Sequence, residues 1–242
     1  MYIRRALMNI SYKRILLKIS GEVLAGKNSA GYDFDVVTSI CSAVKQIHDL
    51  GVQVGIVVGG GNFWRGRSSG EMDRLRADHM GMLATVMNSI CLEDTFEQLG
   101  VEAVAFSAIP MELIVENYVG SKAVKALESG KIAIFGCGTG NPFFTTDSAA
   151  ALRAAEIKAD VLFKATNVDG VFDKDPNKFD DAVKYDVLTH SEILEKNLKV
   201  MDSTAAALCK DNGIPVLVFN LDDPQNIVKA ISGENIGTIV KE

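Results

Sequence analysis

Residues Val52–Val58 (VQVGIVV) are apolar at nearly every position and run straight into three consecutive glycines. A stretch so short and so uniformly apolar has no solvent face. It reads as a strand buried on both sides, as in a parallel sheet covered by helices. Further strand-like runs lie at Arg14–Ser20, Val101–Ser107, Lys131–Phe135, Val161–Ala165, Ile214–Phe219 and Thr238–Val240. Between the first two strands, Val36, Val37, Ile40, Cys41, Val44, Ile47 and Leu50 recur at helical spacing, and Gly51 stands where a C-terminal cap belongs. A long helix is expected over Asp73–Leu99. Asp222-Asp223-Pro224 offers a helix start, with a capping carboxylate and proline in the first turn. Strand alternating with helix predicts one doubly wound, mostly parallel α/β sheet.

Composition narrows the class. Of 242 residues, 48% are apolar and 23% charged, as in an ordinary globular domain and unlike a disordered or fibrous chain. The longest apolar runs fall far short of the ~18 residues that cross a bilayer. Ala6–Ile10 is too short and too polar for a secretory core, so a cytoplasmic protein is expected. A net charge of −6 argues against a nucleic-acid or membrane partner, which needs a basic face, but leaves room for a small phosphorylated ligand. Four scattered cysteines without CxxC spacing, and three histidines that do not join them, read as reduced thiols rather than a zinc site. Residues 1–11 read as an N-terminal extension, of which 1–7 are expected to be dispensable, and 12–242 as a single domain. Residues 166–190 are polar and turn-rich, and are expected to form an excursion above the sheet edge.

Three strands end in small-residue turns: Ser20-Gly21, Gly59-Gly60-Gly61 and Gly136–Gly140. Glycine lets backbone N–H groups approach a ligand closely, and doubly wound topology brings such strand ends together, so phosphate binding is expected. Gly61–Ser68 nearly spells a P-loop but carries Arg67 where the phosphate-binding lysine belongs, and Gly136–Gly140 has GxGxG spacing followed by Pro142; neither motif is complete. Lys18 lies inside a buried strand, where a charge needs a reason. It reads as aimed at phosphate, and Arg65 as a bidentate clamp. Lys164 is a weaker cation candidate. Asp147 and Asp78 are the candidate carboxylates, Asp147 with a plain helix cap as the alternative. Cys137 has no partner base nearby and is not read as a nucleophile.

The segments KRILLKISGE, VGIVVGGGNFWRG, DHMGMLATVMN, SAIPME, GTGNPFFTTDSAA, ADVLFKATNVDGVF and DPNKF together resemble the bacterial UMP kinases (uridylate kinases) of the amino acid kinase superfamily, in order from about Tyr12 to Val240. The resemblance implies a three-layer α/β/α sandwich with a mostly parallel central sheet. It also implies transfer of a phosphoryl group from Mg·ATP to UMP in pyrimidine nucleotide biosynthesis, by a homohexamer. The acceptor-nucleotide half would span about 12–150 and the ATP half about 151–242. Carried over by position, Lys18, Ser20, Gly21, Gly61 and Arg65 match ATP-phosphate contacts, and Thr166, Asn167, Phe172 and Asp175 the adenosine side. Gly60, Asp78, Thr139, Gly140, Asn141, Pro142, Phe143, Phe144, Thr145 and Thr146 match the UMP site, with Asp78 on the ribose. Lys18, Arg65 and Asp147 would be catalytic, Asp147 by orienting Lys18. Mg²⁺ would be held through the phosphates, with no direct protein ligand. UTP inhibition is a further implication. GTP activation is another, against which Glu93, Asp94 and Glu97 on the long helix argue by charge. Two other readings stand beside this one: a superfamily kinase acting on a carboxylate or carbamate, and a non-catalytic nucleotide or oxoanion binder.

Overall fold

The computed structural model describes residues 10–64, 70, 72–176, 178–196, 198 and 200–242. Its strands are β1 (Arg14–Ile19), β2 (Gln53–Val58), β3 (Ala103–Ser107), β4 (Glu116–Asn117), β5 (Ile132–Gly136), β6 (Val161–Thr166), β7 (Val171–Phe172), β8 (Lys184–Tyr185), β9 (Val187–Leu188), β10 (Val216–Asn220) and β11 (Thr238–Val240). Its helices are α1 (Gly21–Leu24), α2 (Phe34–Asp49), α3 (Arg74–Gln98), α4 (Gly120–Glu128), α5 (Thr146–Glu156), α6 (His190–Glu195), α7 (Ser203–Asp211) and α8 (Asn226–Ile231).

Nine strands form one sheet in the order β4-β3-β5-β2-β1-β6-β10-β11-β9. Every neighbouring pair is parallel except β10 with β11. From β1 the chain steps to β2 on one side and later returns to place β6 on the other. The β1/β6 boundary is thus a topological switch point, where open α/β sheets leave a crevice beyond the strand ends. Parallel strands need helical crossovers, and these cover both faces. Ile15, Leu17, Phe163 and Phe219 face α2, the C-terminal half of α3 and α8, through Val44, Phe96 and Ile227. Leu16, Val57, Phe135 and Leu162 face α4 to α7, through Leu127, Ala150, Ile193 and Ala205. The expected three-layer α/β/α sandwich is the fold observed.

Local differences have local causes. Asp223 Oδ1 accepts from Gln225 N, so the Asp-Asp-Pro segment makes a turn and α8 begins only at Asn226. The 166–190 excursion contains a small antiparallel ladder, β7 with β8. The buried Thr238 fixes that ladder to the main sheet: its hydroxyl accepts from Val171 N and donates to Tyr185 O. Ile10 and Ser11, assigned by sequence to the extension, dock on the body, Ile10 against the core and Ser11 N on Ile231 O at 3.1 Å. Cys41, Cys137 and Cys209 are buried free thiols and Cys91 is half-buried.

Candidate active site

The turns after β1, β2 and β5 meet at the strand ends. Gly21 lies so close to the second turn that a Cβ there would stand 2.5 Å from Gly59 O and 2.7 Å from Gly61 N; only glycine permits this backbone-to-backbone approach. The triple-glycine turn is clasped from behind by two buried amides. Asn88 Nδ2 donates to Gly59 O at 2.6 Å and to Asn62 Oδ1 at 2.7 Å. Asn62 Nδ2 donates to Asn88 Oδ1 and to Gly31 O, each at 3.0 Å. Together the turns wall a cleft of about 440 Å³, within the range of small-ligand sites.

Lys18 reaches this cleft from β1. Its register partner on β6 is Lys164, and partners in register share one face of the sheet. Both ammonium groups converge on Asp147, in the first turn of α5. Lys18 Nζ stands 3.2 Å from Asp147 Oδ1, and Lys164 Nζ bonds Asp147 Oδ2. Burial alone would raise the Asp147 pKa, but the two lysines outweigh it and hold it below the ordinary carboxylate value. Burial, helped by repulsion from Lys18, pushes Lys164 below the ordinary lysine value despite Asp147. Asp147 is therefore no plain cap; Thr145 caps α5, its Oγ1 accepting from Ser148 N.

The segment 137–143 forms the far wall. Cys137 (φ 59°) and Phe143 (φ 71°) are both left-handed, a conformation costly for a side-chain-bearing residue. Each is tied to the same face of α3. Cys137 N donates to Thr85 Oγ1 at 2.7 Å, and Phe143 N to Asp78 Oδ2 at 2.9 Å. Asp78 also receives Arg74 Nε at 2.9 Å, and the Arg74 guanidinium lies 5.7 Å from the Phe143 ring centroid. Burial pushes the Cys137 thiol above its ordinary value, in keeping with the absence of a nucleophile reading.

Of the residues expected from sequence, Lys18, Ser20, Gly21, Gly60, Gly61 and Asp78 line the cleft, as do Thr139, Asn141, Pro142, Phe144, Thr145 and Thr146. Gly140 turns the same segment (φ 85°), packed on Ala108, and Phe143 sits at its rim, exposed. Thr166 and Asn167 lie at the C-terminal end of β6, Phe172 in β7 and Asp175 beyond it, all outside this cleft. Arg65 lies outside the described residues. Sequence reasoning underweighted Lys164, although it carries the same signal as Lys18, a charge inside a buried strand. Arg74, Thr85 and Asp202 gave no such signal. Asp202 caps α7 through Ala205 N and accepts from Ser148 Oγ and Thr145 Oγ1, so it braces the start of α5. Glu93 corrects another expectation. Its Oε1 accepts from Ala105 N on the chain's own sheet, and burial raises its pKa, so it does not belong to an outward acidic face. Among the described residues, no three His, Cys, Asp or Glu side chains gather to hold a metal ion.

A glycine-walled crevice beyond the ends of β1, β2 and β5, with one of two carboxylate-paired lysines in its lining, is the geometry of an anion site in an α/β protein. The chain belongs to the amino acid kinase family, whose model matches residues 13–220. It is similar to the solved UMP kinase of Bacillus anthracis, with 37% identity, a TM-score of 0.92, and 95% of this chain and 96% of that one covered. The UMP kinase of Ureaplasma parvum matches at 41% identity and TM-score 0.90, over 95% and 99% of the two chains. The uridylate kinase of Archaeoglobus fulgidus matches at 28% identity and TM-score 0.71, over 93% and 99%.

Because the folded-state pKa of Asp147 is depressed, its charge stabilises the fold above the unfolded carboxylate value of ~3.9, and that contribution fades as pH falls through the folded value. Asp147→Asn leaves two buried ammonium groups uncompensated and should cost about 3–5 kcal/mol near neutral pH. Denaturant unfolding of both proteins should give a gap near neutral pH that narrows below about pH 4, as Asp147 is protonated.

Proposed function

We propose that this chain transfers the γ-phosphoryl group of ATP to UMP, giving ADP and UDP. The observation that carries the reading is the cleft itself, with Lys18, Asp78 and most of the Thr139–Thr146 segment in its lining. The similarity to solved UMP kinases supports the choice of acceptor.

The acceptor is already a phosphate anion, so the reaction needs no strong base. The obstacle is repulsion between two polyanions, met by fixed positive charge and backbone N–H donors. Asp147 holds Lys18 in place, so its charge is oriented before substrate arrives. Lys164 shares that carboxylate, and Arg65 adds a clamp on the phosphates. Asp78, at the foot of α3, accepts from the UMP ribose. Thr166, Asn167, Phe172 and Asp175 take the adenosine side. When bound, Mg²⁺ would supply charge compensation to the phosphates. It would be held through the phosphates and not by a side chain, Asp147 being engaged with two lysines.

The functional unit is a homohexamer built from dimers. Leu83, Met87 and Ile90 form an exposed apolar stripe along α3 at helical spacing, on a helix whose other side is buried in its own subunit. A symmetric copy would cover that stripe. With Glu93 turned inward, Asp94 and Glu97 remain as the charges opposing a triphosphate effector, and on that ground GTP activation is weak or absent. UTP acts as an inhibitor, as the resemblance to UMP kinases implies.

ADP release measured with Mg·ATP and each of UMP, CMP, dUMP and AMP tests the assignment. A site that pairs a uracil edge leaves buried polar groups unmatched by cytosine, so UMP should exceed CMP by on the order of 10⁴ in kcat/KM; equal turnover would sink the reading. Lys18→Ala should lower kcat by roughly 10²–10³, since one preorganised charge contributes about 3–4 kcal/mol; a variant with most of its kcat would make Lys18 a mere strand residue. In sedimentation at micromolar concentration the chain should run as a hexamer, and a dominant 26.1 kDa species would refute the assembly.

A further inference from the structure

The acceptor wall has a third tether, on the side away from α3. Arg153, on α5, is 3% exposed. Its Nη2 donates to Gly138 O at 3.0 Å, and its Nη1 to Glu156 Oε2. The guanidinium carbon lies over the Tyr118 ring, 3.8 Å from its centroid, and the Tyr118 hydroxyl donates to the same Glu156 oxygen. Arg153 Nε finds no hydrogen-bond partner among the described residues. Burying an arginine with one donor unmet is costly, and a helix facing an apolar core does not require it. What the arginine accomplishes is local: it fixes the carbonyl of a left-handed glycine (φ 58°) that lines the cleft.

We propose that Arg153 is a positioning residue for the acceptor nucleotide, acting through the Gly138 turn; the proposal rests on the UMP kinase reading. In a trans peptide the C=O and N–H point in opposite directions. Holding Gly138 O toward α5 therefore turns the Thr139 N–H away from α5, as a fixed donor for an acceptor oxygen. A guanidinium fork that grips the carbonyl and a carboxylate at once fixes direction better than a single ammonium group could. Thr166 and Phe172, the adenosine candidates in β6 and β7, lie outside the cleft that Gly138 lines.

The test is steady-state kinetics of Arg153→Met, which keeps the stem, and Arg153→Lys, which keeps the charge without the fork. UMP is titrated at saturating Mg·ATP, and ATP at saturating UMP. The UMP KM should rise roughly tenfold or more in Arg153→Met, as for loss of a charged hydrogen bond, with the ATP KM within about twofold, and Arg153→Lys should recover only part of the loss. An unmoved UMP KM, or both KM values rising together, would overturn the proposal. If Arg153→Met is insoluble, Glu156→Gln, on a partly exposed side chain, takes its place. It loosens the guanidinium and should raise the UMP KM severalfold, and an unchanged UMP KM there overturns the proposal equally. The wild-type enzyme separates the two claims. Failure to make UDP defeats the substrate reading, whereas UDP formation with unmoved variants defeats the positioning role alone.

Discussion

Two ammonium groups side by side in the middle of a parallel sheet would repel each other and lose most of their hydration. Along one face, the register row runs Phe135, Val57, Lys18, Lys164, Val218, so the lysines interrupt an otherwise apolar line. Asp147 makes that arrangement tenable. It sits over both lysines from the first turn of α5, where the helix N-terminus also favours negative charge. Its own position depends on Thr145 capping the helix and on Asp202 bracing Thr145 and Ser148.

The other half of the site is made rigid by a different device. Segment 137–143 contains two non-glycine residues in left-handed conformation, and such residues persist only when their surroundings over-determine them. Thr85 and Asp78, two turns apart on α3, receive the N–H of each. The same helix supplies Asn88 to the triple-glycine turn. One helix therefore sets the relative placement of the two glycine-rich walls.

Much of this was legible in the residues. The strands announced themselves because strands buried on both faces are continuously apolar, and the three glycine turns because their spacing after those strands is regular. Lys18 stood out as a charge inside such a strand. What sequence could not supply was the pairing of strands far apart in the chain. Lys164 gained its meaning only when β6 was seen beside β1. Asp202 looks like any cap before an apolar helix, and its reach to Thr145 depends on how α5 and α7 pack. Glu93 reads as one member of an acidic surface group until its carboxylate is seen to receive Ala105 N. In each case a local pattern gives the residue's chemistry, while tertiary packing decides which group it meets.

The register of β1 against β6 also constrains the history of this sequence. Side chains alternate faces along a strand, so one residue inserted ahead of Lys18 or Lys164 would swing that ammonium through the sheet and present an aliphatic or aromatic neighbour to Asp147. Substitutions in these strands can be graded by size and polarity, but a single-residue insertion or deletion cannot. Two segments separated by most of the chain must therefore keep the same count, and changes in length are confined to the connections between elements.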